Sequence, residues 1–152
     1  MKIEDIMSRD LIIGSINQKV SEIAELMKKY DIGFIPIEQN KHIIGVVTDR
    51  DIICSTFSAE LDSEAKIERY MTNNVISIDK DDSIENALKV MGQEKVKRLI
   101  VSDHEKVVGI LSLSDIITTD TDEKKFITEL KKIWAIHKNV DSFHTEVDEF
   151  YL

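Results

Sequence analysis

The chain holds one cysteine, Cys54, and no second to pair with it, so no internal disulfide is available to brace the fold. Its place in the apolar run "DIICS" reads it as a buried structural thiol rather than a nucleophile. No run approaches the roughly 18 consecutive apolar residues that span a bilayer, and the opening Met1-Lys2-Ile3-Glu4-Asp5 has no apolar signal core. The expectation is a cytoplasmic protein. Positive charge is scarce, since 20 Lys and Arg against 29 Asp and Glu leave a net charge of −9 at pH 7. That balance repels polyphosphate backbones and anionic lipid and argues against nucleic-acid and membrane partners. A bound phosphate would need a local basic spot. Also missing are a glycine-rich phosphate loop of the Walker type, a G-x-S-x-G elbow and any Cys/His zinc spacing. No catalytic residue and no metal site is assigned, and the chain is read as a non-enzyme.

What the chain does have is repetition. At 152 residues it holds one ordinary domain or two very small ones that must share a core, because a half of about 60 residues is marginal alone. Sliding the sequence by 64 positions lays "IEDIM" (3–7) on "IERYM" (67–71), Val20 on Ile84 and Met27 on Met91. The same register lays Gly45 on Gly109 and "DII" (51–53) on "DII" (115–117) without a gap. Residues 3–53 and 67–117 are therefore two copies of one supersecondary unit. The division is 1–57 for the first repeat, 58–66 for a polar linker, 67–118 for the second repeat and 119–152 for a C-terminal extension.

Each copy reads as strand, helix, strand, strand, helix. Val20, Ile23, Ala24, Met27 and Tyr30 recur at helical spacing, and "FIPIE" and "IIGVV" are strands split by the turn at Gln39-Asn40-Lys41. In the second copy Ile84, Ala87, Leu88 and Met91 form the helical stripe after a cap at Asp82-Ser83, with "RLIVS" and "VVGIL" as strands. His42 and His104 fall at the turns between strands and are read as solvated. One unit cannot bury both faces alone, so two units packing their sheets together is the expected solution.

The phrases "GVVTDRD" (45–51) and "GILSLSD" (109–115) each close a strand and open a helix. A hydroxyl residue with an acid three positions on is a capping-box pattern, and on the residues alone that reading comes first. The same geometry also suits a ligand. Free N–H groups and a hydroxyl at a helix start suit a phosphate, a carboxylate at that edge can accept both hydroxyls of a ribose, and Gly45 and Gly109 would let a ligand approach the backbone.

The unit that opens "IEDIMS" or "IERYMT", continues through "AELM" or "ALKVM" and "GFIPI" or "KRLIV", and closes "GVVTDRDI" or "GILSLSDI" resembles the CBS domain. Two in tandem form a Bateman module. The second copy is also similar to the nucleotide-sensing γ subunits of AMP-activated kinases. The resemblance implies an α+β (α/β-type) fold of two β-α-β-β-α repeats packed sheet to sheet with pseudo-twofold symmetry, followed by the helical extension. It further implies clefts between the repeats that take an adenosine nucleotide (AMP, ADP or ATP), with no required cofactor. Asp51 with Thr48, and Asp115 with Ser112, would hold ribose and phosphate. By the same resemblance Asp115 faces Ile12, Ile32, Gly33 and Phe34, and Asp51 faces Ile76, Val96 and Lys97.

Lys97 and Arg98 supply the local positive charge that a phosphate requires, and adjacent strand residues point to opposite faces, which leaves one of them available. The first copy has Gly33 and Phe34 at those positions, so the two clefts are expected to be unequal. Arg50 within "TDRD" is a second candidate phosphate ligand. Two functions follow: a regulatory ligand-sensing module that acts on an effector protein, and a constitutive interaction module with empty clefts that works through its C-terminal helix.

From Phe126 through Leu130, Ile133, His137, Val140, His144 and Val147 to Tyr151 the spacing alternates four and three, widened by Ile127, Trp134, Phe143 and Phe150. That seam predicts one long amphipathic helix or two, and favours a homodimer. His137, Asp141, His144 and Asp148 fall on one helical side, but with no ligands from a second helix they are not assigned as a metal site.

Overall fold

A computed structural model describes residues 1–57, 62–119, 126–128, 130 and 131. Two three-stranded sheets carry helices, giving an α+β architecture. The first sheet takes β1 (Gly14–Ser15), β2 (Phe34–Gln39) and β3 (His42–Thr48), with α1 (Val20–Tyr30) between β1 and β2 and α2 (Asp49–Phe57) after β3. The second repeats the order with β4 (Ser77–Asp79), α3 (Ile84–Glu94), β5 (Arg98–Asp103), β6 (Lys106–Ser112) and α4 (Leu113–Ile117). In each sheet the short strand pairs parallel with the middle strand, and the last two form an antiparallel hairpin.

The 64-residue register extends to backbone detail. Both hairpins shift register at matching places, between Ile37 and Glu38 and between Val101 and Ser102. Both turn through two residues of positive φ, Asn40-Lys41 and His104-Glu105, as a right-twisted two-residue hairpin requires. α1 and α3 stop at the left-handed residues Asp31 and Lys95, whose N–H groups close on the carbonyls of Met27 and Met91. Helix starts are capped as well: Ser83 Oγ accepts from Asn86 N at 3.2 Å, and Glu22 Oε2 accepts from Lys19 N at 2.7 Å.

The compact units, however, are not the contiguous repeats. One unit is Asp10–Val75; the other joins Met1–Arg9 to the residues from Ile76 onward. The opening segment of each repeat packs on the sheet of the other. Ile67 is fully buried in the first unit's core with Ile16, Val20, Ile23, Met27, Ile35, Ile37 and Val47. Ile3 and Met7 are buried in the second unit's core, among Ile84, Leu88, Met91, Leu99 and Leu111. Each fully buried isoleucine contributes about 1.5–3 kcal/mol, so the exchanged segments help hold the sheets they join.

Three details of the sequence reading change. Cys54 is exposed, because α2 turns Ile52 and Ser55 inward and leaves Ile53 and Cys54 outside. Ala24 and Tyr30 also lie on the exposed side of α1, whose buried face is Val20, Ile23 and Met27. Beyond Phe126, Ile127 and Leu130, the seam residues of the extension and His137, Asp141, His144 and Asp148 lie outside the described residues. No helix among the described residues is long and apolar enough to cross a membrane.

Candidate functional site

Each "hydroxyl-x-x-Asp" phrase folds into the same corner, where the last strand of a sheet turns directly into a helix. In the first unit Asp51 Oδ2 accepts both Thr48 N and Thr48 Oγ1 at 2.8 Å, while Thr48 Oγ1 accepts from Asp51 N at 3.2 Å. In the second unit Asp115 Oδ2 accepts Ser112 N at 2.7 Å and Ser112 Oγ at 2.6 Å, and Ser112 Oγ accepts from Asp115 N at 3.2 Å. The capping reading is therefore correct at both places. It does not exhaust the carboxylates. These contacts converge on Oδ2, and Oδ1 of each aspartate accepts no hydrogen bond among the described residues. Both aspartates are half-buried. One oxygen is thus locked by the backbone, and the other is held in a fixed direction to accept further hydrogen bonds.

The ends of the middle strands complete each corner. Phe34 pairs across the hairpin with Thr48, and Gly33 O accepts from Asp49 N at 3.2 Å. Arg98 pairs with Ser112, and Lys97 O accepts from Leu113 N at 2.9 Å. Ile12 and Ile32 pack half-buried against the first core, and Ile76 and Val96 against the second. Each corner therefore has the strand-end residues of its own copy beside it. The second corner is flanked by exposed Lys97 and Arg98, the first by half-buried Gly33 and Phe34. Arg50 is exposed on the first turn of α2.

The glycines play another part than the one expected of them. A Cβ on Gly45 would lie 2.8 Å from Met71 Sδ and 2.9 Å from Thr72 O; one on Gly109 would lie 2.6 Å from Met7 Sδ and 2.8 Å from Ser8 O. The close approach they permit is that of the exchanged opening segment, which bridges the strand at Val46 and Ile110. Two neighbours of the corners escaped the sequence reading. Ser114 Oγ lies 2.7 Å from Ser112 Oγ, and the Asp49 carboxylate lies against the Gly33 backbone. The extra hydroxyl in "SLSD" and the extra acid in "TDRD" were the available signals.

Comparison with known proteins agrees with the repeated fold. The CBS domain family matches residues 3–55 and 67–121. The chain is 29% identical over 138 residues to the CBS domain-containing protein YhcV of Bacillus subtilis, covering 91% of this chain and 97% of that one. Among solved structures it resembles the CBS domain pair of protein MJ0100 in complex with 5′-methylthioadenosine and S-adenosyl-L-methionine. That match has 27% identity and a TM-score of 0.69 over 77% of this chain and 93% of that one. It also resembles Hypoxic Response Protein I with two coordinated zinc ions, at 28% identity and a TM-score of 0.68 over 77% and 97% of the two chains. With both repeats matched and each built as a β-α-β-β-α order, the chain belongs to the CBS-domain family as a tandem pair.

Proposed function

We propose that this CBS pair is a non-enzymatic regulatory module that binds an adenosine-derived ligand at the Thr48–Asp51 corner, the Ser112–Asp115 corner or both. The observation that carries the reading is the divided carboxylate: Oδ2 is fixed by its own helix cap while Oδ1 accepts nothing among the described residues. A ribose diol is a matching donor, and the aspartate gives it a charge-assisted acceptor that needs no reorganisation. The likeness to a CBS pair holding 5′-methylthioadenosine and S-adenosyl-L-methionine supports the adenosyl class. Lys97 and Arg98 beside Ser112 favour the second corner for ligands that carry a phosphate. Binding acts by favouring one arrangement of the protein over another, and so its affinity for an effector protein.

The test is thermal stability against AMP, ADP, ATP, 5′-methylthioadenosine and S-adenosyl-L-methionine. A ligand that binds only the folded state raises the Tm by mass action, by about 2.7 kcal/mol of stability at a hundred times its Kd. No shift with any of the five at millimolar concentration contradicts the reading.

A second reading, a constitutive interaction module, is favoured by Ile53 and Ile117. They occupy equivalent positions on α2 and α4 and are 54% and 56% exposed. A homodimer through these helices, the C-terminal extension or both is part of either reading. Light scattering on the full chain and on a chain ending at Thr121 tests it, and a monomer at micromolar concentration removes the dimer.

A further inference from the structure

The two copies differ on one helical face. At three helix positions the second copy carries Leu88, Leu113 and Ile116 where the first, 64 positions earlier, has the smaller Ala24, the charged Asp49 and the same residue, Ile52. All three are buried, Ile116 completely. Ala24 and Asp49 are exposed, and Ile52 is only half-buried. Larger apolar side chains on a surface that is open in the other copy need a cover. Phe126 and Leu130 are half-buried and pack against the core cluster that contains Leu88, Leu113 and Ile116. Residues 126–128 are helical, and the four-residue step puts Phe126 and Leu130 on one side, with Ile127 left 47% exposed on the other. Sixty-four positions earlier stand Asp62 and Lys66, both exposed and neither able to fill an apolar gap.

We propose that Phe126 and Leu130 form an intramolecular strap, docked on α3 and α4, that braces the helix start carrying Asp115. The first unit's corner at Asp51 has no such brace among the described residues. The need for it lies in α4, whose five residues are too few to stand as a helix without tertiary support, whereas α2 has nine. Leu113 and Ile116 are the anchors on either side of Asp115, so the strap that covers their cluster fixes the carboxylate between them. The inequality of the two corners is then mechanical as well as electrostatic, and the tail is tied to one of them.

Native-state amide exchange on the full chain tests this without any ligand. Phe126→Ala should speed exchange of the Asp115, Ile116 and Ile117 amides on the order of tenfold while leaving the Asp51, Ile52 and Ile53 amides near their original rates. Phe126→Leu, which keeps an apolar side chain there, should preserve protection. Leu88→Ala should reproduce the loss, and adding it to Phe126→Ala should cost much less than the sum of the two. Should Phe126→Ala not fold, Leu130→Ala gives the same readout. Unchanged exchange in α4, equal acceleration in α2 and α4, or fully additive effects of Leu88→Ala and Phe126→Ala would each overturn the strap.

Discussion

Ser8 and Ile110 exchange both of their backbone hydrogen bonds, at 2.9 and 3.0 Å, and Thr72 does the same with Val46 at 2.8 and 2.9 Å. Ser8 belongs to the first repeat and Ile110 to the second; Thr72 and Val46 are the reverse. Each repeat lends its opening turn to the other repeat's sheet, and the place where it lands is beside a glycine, one residue before Ile110 and one before Val46. A CBS pair built this way does not divide into two independent halves by cutting the chain at the linker, because each half would lose a buried isoleucine, Ile3 or Ile67.

The exchange makes Gly45 and Gly109 sensitive positions. Alanine at either one would press a methyl group against a methionine sulfur, which can move, and a backbone carbonyl, which is held in the bridge. Gly45→Ala and Gly109→Ala should each destabilise by about 1–3 kcal/mol in urea unfolding, the usual cost of overpacking. A change under about 0.5 kcal/mol would mean that the opening segments shift without penalty.

Arg98 should separate phosphorylated from unphosphorylated ligands. It pairs across the hairpin with Ser112, on the strand end beside the second corner. Arg98→Ala should weaken AMP roughly tenfold or more, the scale of a lost charged hydrogen bond, and weaken adenosine much less. Equal losses for the two ligands, measured by calorimetry, would assign Arg98 to the fold alone.

Acid should act on the second unit through Asp103. The hydrogen bond from Lys80 at 2.8 Å, helped by His104, holds the Asp103 carboxyl below its ordinary 3.8, and the same pair raises Lys80 above its ordinary 10.5. With a lowered carboxylate, the contribution is complete above pH 3.8 and is lost as pH falls through the folded value. With a raised ammonium, it is complete below pH 10.5 and is lost as pH rises through the folded value. Lys80→Met should therefore lower stability between those limits, and the gap from the unaltered protein should narrow as pH falls below 3.8. Unfolding curves from pH 2 to 8 check this, and a gap that does not narrow as pH falls below 3.8 contradicts it. Added salt should shrink the gap at pH 7, since both groups meet solvent.

Much of this was legible in the sequence, for identifiable reasons. The stripe Ile84, Ala87, Leu88 and Met91 has one period and one face, so α3 could be placed with its cap at Ser83. Thr48 with Asp51 and Ser112 with Asp115 carry their own geometry, because a capping box is local to four residues. The segment exchange was not legible. "IEDIM" and "IERYM" offer the same isoleucine and methionine at the same spacing, so either segment satisfies either sheet and the pattern cannot say which does. Cys54 was misplaced for a related reason: "DIICS" is apolar throughout, and only the direction in which α2 lies on its sheet decides that Ile52 turns inward and Cys54 outward. Gly45 and Gly109 invited a ligand reading because close approach was certain while the approaching group was not.

The central claim is that Oδ1 of Asp51, of Asp115 or of both, which accepts no hydrogen bond among the described residues, holds the ribose of an adenosine-derived ligand. Calorimetric titration of 5′-methylthioadenosine and AMP into Asp51→Ala, Asp115→Ala and the double variant tests it most directly, with circular dichroism confirming that each is folded. Loss of the cap alone costs about 0.5–2 kcal/mol of stability, which leaves room for a folded protein. The account predicts that each single variant loses the binding at its own corner and that the double variant binds neither ligand. A folded double variant that binds either one with unaltered affinity would contradict it.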